Sequence, residues 1–304
     1  MNDQPLVSIV MNCYNSDTYL KEAINSVFEQ TYQNWEIIFW DNQSTDQSAE
    51  IIKSYNDDRV KYFHAPIHTP LGEARNLAIE KVSGEWVAIL DCDDIWDKDK
   101  LQASFEILNS YNQKEEVSLL YSKTVYIDEN GETFGFFQEH YSGDIHDLLL
   151  TQGDFVFISS AIFRTDILNK VGKIDESLHY AEDYDVLLKV TKNQQALCVD
   201  AYHTYYRVHN SSLTSTKVYE YDVENFEFLN NYIKEHNLPL NLKVAIFLNN
   251  SSRMTASVVK LITKKDFINF VKIVKGYWQY LLLSPYYVLH FIGKRIRKII
   301  KNSM

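Results

Sequence analysis

Apolar runs rich in β-branched and aromatic residues alternate with amphipathic stretches from Leu6 to Leu108, and this alternation narrows the available folds more than any other feature of the chain. Leu6 to Met11, Trp35 to Trp40, Arg59 to His64 and Glu85 to Leu90 read as strands. Between the first two, Leu20, Ala23, Ile24, Val27 and Phe28 keep helical spacing. Ile51, Ile52 and Tyr55 do so in the next gap, Leu71 to Val82 reads as a third helix, and a fourth runs through Leu101, Phe105 and Leu108. Asn15-Ser16-Asp17 suits the start of the first helix, and Ser44-Thr45-Asp46-Gln47 has capping-box form for the second. Strands that are apolar throughout are buried on both faces, so the pattern predicts a parallel sheet covered by helices. Such sheets bind ligands beyond the carboxyl ends of their strands. Asn12, Asp41 and Asp91 all fall at those ends.

From Val117 the texture changes. Val117 to Asp128 and Thr133 to Phe137 flank Asn130-Gly131, which reads as a hairpin turn. Phe155 to Arg164 reads as a strand, Glu182 to Lys192 as a helix, and His203 to His209 as a last strand. After about Thr216 the alternation gives way to helical periodicity, which sets two domains, residues 1–215 and 216–304. The 45% hydrophobic content excludes global disorder, and 9 Gly and 5 Pro are too few for a collagen-like or linker-rich chain.

Charge is unevenly spread. From Arg253 onward lie eleven of the 30 Lys and Arg residues, but only Asp266 of the 41 acids. An acidic body with a basic tail implies an anionic surface as the tail's partner. Nucleic acid is one such surface, but the tail's apolar content favours membrane. Cys13, Cys92 and Cys198 have no paired or metal-ligand spacing and read as free thiols of a reducing, cytoplasmic compartment. The opening residues, Met1 to Pro5, lack signal-peptide character.

Asp91-Cys92-Asp93-Asp94 directly follows the apolar run Trp86 to Leu90. Three carboxylates in four residues repel one another. Either the segment is a polar turn that caps the next helix, or a divalent cation shared with a diphosphate lies among them. Asp183 sits at a predicted helix start, where acids are favoured by the helix dipole and where a proton acceptor could equally stand. Arg75 suits either an exposed helix face or a phosphate.

Read in order, these segments resemble glycosyltransferase family 2, of inverting GT-A fold. Val7 to Asn15 resembles the family's V-S-I-I-I-P-T-Y-N, with Asn12-Cys13 in place of Pro-Thr. Asp41 to Asp46 resembles D-D-G-S-T-D, with Asn42 and Gln43 departing from it. Gly72 to Asn76 resembles G-x-A-R-N, Leu90 to Asp94 resembles L-D-x-D-D, Glu182 to Asp185 resembles E-D-x-D, and Tyr206 to His209 resembles Y-R-x-H. The resemblance covers Leu6 to about Thr214. It implies an α/β, Rossmann-like nucleotide-binding sheet with a helical, basic C-terminal appendage. It implies a donor site of Asn12, Tyr14, Asp41, Arg75, Asp91 and Asp93, with Asp41 accepting the uracil imide N–H. It also implies Mn²⁺ or Mg²⁺ at Asp93, Asp94 and His209, and Asp183 as catalytic base; the division of labour between Asp91 and Asp94 stays open. The expected reaction moves a hexosyl or N-acetylhexosaminyl group, with inversion, from a nucleotide sugar, a UDP-sugar by expectation, to a saccharide or lipid-linked glycan. Surface polysaccharide or lipopolysaccharide synthesis would use such an enzyme.

Two other classes stay in view. A nucleotidyltransferase is disfavoured because no Gly-rich, Lys-bearing phosphate loop opens the chain. A catalytically silent sugar-nucleotide-binding subunit is left open by the departures at Asn12, Cys13, Asn42 and Gln43. In the tail, Tyr277 to Gly293 is aromatic and aliphatic but interrupted by Ser284-Pro285, and Lys294 to Lys301 is basic. That pairing describes either a helical subdomain with a basic surface or, the favoured reading, a segment lying in the interface of an anionic membrane, on the inner face. No nucleic-acid partner is expected.

Overall fold

A computed structural model describes residues 4–210, 212, 216–263 and 267–281. The chain divides into two compact units, Met1–Leu149 with Asp154–Ser212, and Leu150–Gly153 with Leu213–Met304.

The first unit is built on a nine-stranded sheet. Its elements begin β1 (Val7–Cys13), α1 (Asp17–Phe28), β2 (Trp35–Asp41), α2 (Ser48–Lys53), β3 (Val60–His64), α3 (Leu71–Ile79) and β4 (Trp86–Ile89). β5 (Ile95–Trp96), α4 (Lys100–Ser110), β6 (Val117–Ile127), β7 (Thr133–Phe136) and α5 (His146–Gln152) follow, then β8 (Ile162–Arg164), α6 (Thr165–Lys170), α7 (Glu182–Thr191) and β9 (Gln195–Arg207). The order across the sheet is β3-β2-β1-β4-β8-β6-β9-β5, with β7 paired to β6. β3, β2, β1 and β4 are mutually parallel, as their apolar runs predict. β2 is buried at every position because helices cover both faces. One face of β1 (Val7, Ile9, Met11, Cys13) packs with Leu20, Ala23, Ile24 and Val27 of α1 and with Leu101 and Phe105 of α4. α3 covers the other face.

The start of the parallel half is held by polar groups as well. Glu36, buried on β2, accepts hydrogen bonds from Ser8 Oγ (2.5 Å) and from Ser83 N and Oγ (2.9 and 2.7 Å), and pairs with Lys61. Burial opposes its charge, but these donors outweigh burial and hold Glu36 below the usual carboxylate range. At Gly84 a Cβ would meet Leu6 O at 2.5 Å and Ser8 N at 2.8 Å, so only glycine lets the turn into β4 lie against β1.

Beyond β4 the sheet is mixed, in line with the change of texture from Val117. β8 is antiparallel to both β4 and β6, β9 runs parallel to β6, and β5 runs antiparallel to β9. The strand expected over Phe155 to Arg164 is only Ile162–Arg164, preceded by a 3₁₀ turn at Ile158–Ser160. The last strand begins eight residues before its expected start. Its pairing with β6 shifts register around Ser122–Thr124, opposite Asp200 and Ala201, and this irregularity hides the alternation. The β6–β7 hairpin forms around Gly131, whose φ is +83°.

The second unit contains α8 (Val218–Glu235), α9 (Leu240–Thr263) and α10 (Phe267–Leu281). Phe226, Met254 and Ile273 form its core, with Tyr219, Val223, Val258 and Tyr277 against them. Among the described residues, no helix is long and apolar enough to cross a membrane. Most of the apolar run after Tyr277 and the basic cluster Lys294 to Lys301 lie outside the described residues.

Candidate active site

Parallel pairing of β1, β2 and β4 sets their carboxyl ends side by side and so gathers Asn12, Asp41 and Asp91 on one rim. Asn12 is the penultimate residue of β1, with both amide atoms buried and neither hydrogen-bonded. A buried amide without partners is uncommon, and here it stands where a polar ligand is expected. Tyr14 is 51% exposed, and its ring lies 4.3 Å from that of His68, centroid to centroid. Sequence reasoning missed His68, which no quoted motif contains. The two rings offer a surface suited to a flat base.

Asp41 lies on the same rim, but its side chain is turned into the protein. It is fully buried; one oxygen accepts the Ser44 N–H at 2.8 Å and the other the Tyr62 hydroxyl at 2.7 Å. Asn42 and Thr69 clasp each other: Asn42 Nδ2 donates to Thr69 O (2.8 Å), and Thr69 N donates to Asn42 Oδ1 (3.1 Å). Gln43 has φ +71°, a conformation that explains why this turn usually carries glycine. Its side chain is anchored to Ala65 O.

Arg75, 1% exposed, sits at the centre of the site. Nη2 donates to Asp91 at 3.0 Å, and Nη1 donates to Asp183 at 2.5 Å and Glu182 at 3.5 Å. Three carboxylates from distant parts of the chain thus meet one guanidinium. The partners of Arg75 within the protein are thus carboxylates from β4's end and from the start of α7. Asp91 and Asp183 keep 31% and 35% of their side chains exposed, so each still faces outward. Burial raises the Asp183 carboxyl to about 7; Arg75 opposes that rise, and Glu182 and Asp91 add to it.

The Asp91–Asp94 turn is braced on several sides. Asp91 N donates to Ser159 Oγ (3.2 Å), and Asp93 Oδ2 lies 2.9 Å from His209 Nε2. Burial and then the Asp91 charge raise Asp93, while His209 lowers it. Asp94 faces inward and is 1% exposed, and its Oδ1 accepts the Arg207 N–H at 2.8 Å. Burial, then the Asp93 and Asp91 charges, push it well above the usual range. Arg207, which the sequence offered only as a motif letter, is a buried clamp. Its Nε donates to Asp93 O (2.9 Å), Nη1 to Asp128 O (3.2 Å) and Nη2 to Glu22 (2.6 Å). Its guanidinium also covers the Tyr19 ring at 4.3 Å.

Among the described residues, no three His, Cys, Asp or Glu side chains converge as a closed metal site. Asp93 with His209 supplies one oxygen and one nitrogen ligand, an incomplete set that fits a Mn²⁺ or Mg²⁺ completed by substrate phosphates. The three cysteines are free, and all are buried.

The family described as Glycosyl transferase family 2 matches residues 8–172. An Escherichia coli relative, UDP-Glc:alpha-D-GlcNAc-diphosphoundecaprenol beta-1,3-glucosyltransferase WfgD, is 28% identical over 220 residues, covering 72% of this chain and 83% of its own. Staphylococcus aureus TarS 1–349, solved with UDP-GlcNAc, superposes with TM-score 0.59 at 19% identity, covering 90% of this chain and 91% of its own. The mannosyltransferase PcManGT of Pyrobaculum calidifontis, solved with GDP-Man and Mn²⁺, superposes with TM-score 0.62 at 15% identity, covering 93% and 84%.

Proposed function

The chain belongs to glycosyl transferase family 2 and has a GT-A fold, and on that premise we propose that it moves a hexosyl or N-acetylhexosaminyl group, with inversion, from a UDP-sugar to a hydroxyl of a lipid-linked saccharide. The observation that carries this reading is the meeting of Asp91, Glu182 and Asp183 on Arg75. It puts a donor-side carboxylate and a proton acceptor on either side of one buried cation.

In this reading the base lies against Tyr14 and His68, above the turn that Asp41 fixes. The Asn12 amide, unpartnered in the protein, finds its partners on the donor. Asp91 takes a ribose or sugar hydroxyl. Asp93 and His209 would hold a divalent cation, which would supply positive charge against a departing diphosphate. Asp94 and Arg207 keep those two ligands in register. Asp183 accepts the acceptor hydroxyl's proton as its oxygen attacks the anomeric carbon. Glu182 and Arg75 orient Asp183, and no covalent nucleophile is needed for a single in-line displacement.

A lipid-linked acceptor is supported by the relative that acts on a diphosphoundecaprenol-linked sugar. The donor is supported by the neighbour solved with UDP-GlcNAc. We place the enzyme in surface polysaccharide or lipopolysaccharide synthesis, in the cytoplasm, with residues 216–304 as the region that meets the inner face of the membrane.

The test is nucleotide release and thermal shift with a panel of UDP- and GDP-sugars and Mn²⁺. A UDP-sugar should stabilise the protein and be slowly hydrolysed. Asp183→Asn should keep the stabilisation and lose the release. Indifference to every nucleotide, with or without chelator, overturns the donor reading.

A further inference from the structure

Cys13 and Cys92 stand at the two turns that shape the candidate donor site. Cys13 occupies the place where the family's opening turn usually has Thr, and Cys92 lies between Asp91 and Asp93. Both are buried, at 1% and 4% exposure. Val7, Ile9, Met11 and Cys13 face the same core cluster as Trp86, Ala88, Leu90 and Cys92. The β1–β4 register pairs Val7 with Trp86 and Val10 with Ile89, and Leu90 N continues the ladder to Val10 O at 3.0 Å. β4 ends at Ile89, and extending its register three residues further would set Cys13 beside Cys92, in keeping with Cys92 Sγ reaching the carbonyl of Asn12. Neighbouring strands lie about 4.8 Å apart, inside the roughly 4.4–6.8 Å Cα separation that a disulfide spans.

The thiols' other contacts are weak. Cys92 Sγ donates to Asn12 O at 3.3 Å, and Cys13 Sγ lies 3.7 Å from Ser44 Oγ.

We propose that Cys13 and Cys92 are a reversible oxidation site, at which peroxide forms a disulfide that disables the neighbouring donor site. The functional half of this proposal rests on the donor reading above. Hydrogen peroxide oxidises the Cys13 thiol to a sulfenic acid and releases one water. The Cys92 thiol then displaces the sulfenic oxygen, forming the S–S bond and releasing a second water. Two thiols have lost two electrons and two protons, and the peroxide has gained them. A small-molecule thiol reverses the step by exchange.

The consequence follows from where the bond forms. Bringing the sulfurs to about 2.05 Å takes Cys92 Sγ away from the Asn12 carbonyl and pulls on a turn whose Asp91 and Asp93 flank it. A misplacement of about 1 Å in such a site costs as much as 100-fold. Thr at position 13 would keep the turn but remove the chemistry.

The test treats the full chain with hydrogen peroxide, maps thiols by peptide mass, and titrates UDP and GDP with Mn²⁺ before and after. A Cys13–Cys92 peptide lighter by two hydrogens is expected, with Cys198 still free. Nucleotide affinity should fall by at least about tenfold and return with dithiothreitol. Cys13→Thr and Cys92→Ser should each bind nucleotide and ignore peroxide, and either one suffices if the other does not fold. Failure of the two thiols to join, or a joined pair that binds nucleotide unchanged, overturns the proposal. A reduced protein that binds neither nucleotide overturns the donor reading instead, while the mass map still decides the disulfide.

Discussion

Arg75 is the residue on which the candidate site turns. A buried guanidinium faced by Asp91, Glu182 and Asp183 is held by good geometry, and removing it leaves carboxylates that repel one another. Arg75→Ala is expected to cost about 3–5 kcal/mol, read as a fall in the chemical denaturation midpoint. Asp183 supplies a second prediction. A general base works only as the carboxylate, and burial raises this one to about 7 against the pull of Arg75. Transfer should therefore be present above neutrality and be lost as pH falls through about 7. Arg75→Gln, if it folds, should move that limb to higher pH, because the cation that favours the charged base is gone. A kcat profile flat across neutrality would sink the assignment. The motif letters of these residues were legible in the sequence, but their partnership was not. Arg75 and Asp183 lie 108 residues apart, and nothing in local spacing tells a guanidinium whether it will meet phosphate or carboxylate. His68 and the clamp at Arg207 were hidden for the same reason.

At the scale of elements, α1 and α2 are capped across the rim and not by their own first residues. Neither N-cap residue, Ser16 nor Gln47, makes a side-chain cap bond. Instead Asp46 accepts the N–H of Asp17 and that of Ser48, both at 3.0 Å, and Ser48 Oγ accepts the N–H of Ser16 at 3.1 Å. The capping box expected at residues 44–47 does not form, since the helix starts only at Ser48 with Gln47 as its N-cap, and Asp46 also serves the other helix. Burial opposes its charge; the Asp17 N–H, then the Ser48 hydroxyl and N–H, outweigh burial and hold Asp46 below the usual carboxylate range. Asp46→Ala should then cost about 1–2 kcal/mol by urea denaturation at neutral pH. The sign with pH follows from the lowered value. The contribution is full above the unfolded carboxylate range and is lost as pH falls through the folded value, so wild type and variant should converge in acid. β1, β2 and β4 were legible because each is a mostly apolar, buried run. β5, two residues long, and β8, three long, are too short to carry a period. They are strands only because β9 and β4 offer them edges.

At the scale of the molecule, the basic tail is the feature that composition showed first, and the second unit gives it a described beginning. α10 has no Asp or Glu, and Ile268 and Val271 stand exposed beside exposed Lys272 and Lys275 on the face opposite buried Ile273. A stripe of apolar side chains and lysines suits an anionic lipid surface: each apolar residue gains by leaving water, and each lysine gains about 1 kcal/mol near the headgroups. The protein should therefore co-sediment with phosphatidylglycerol vesicles, release as salt rises, and stay behind with phosphatidylcholine alone. Replacing Lys272 and Lys275 together by Gln should weaken partitioning by about 30-fold, the effect of roughly 2 kcal/mol, with nucleotide binding unchanged. Equal partitioning of wild type and variant would show that this face packs on something other than lipid. The outcome also bears on the acceptor. A catalytic unit that reads a lipid-linked saccharide gains from being held at the surface where that substrate is confined, because attachment turns the search from three dimensions into two.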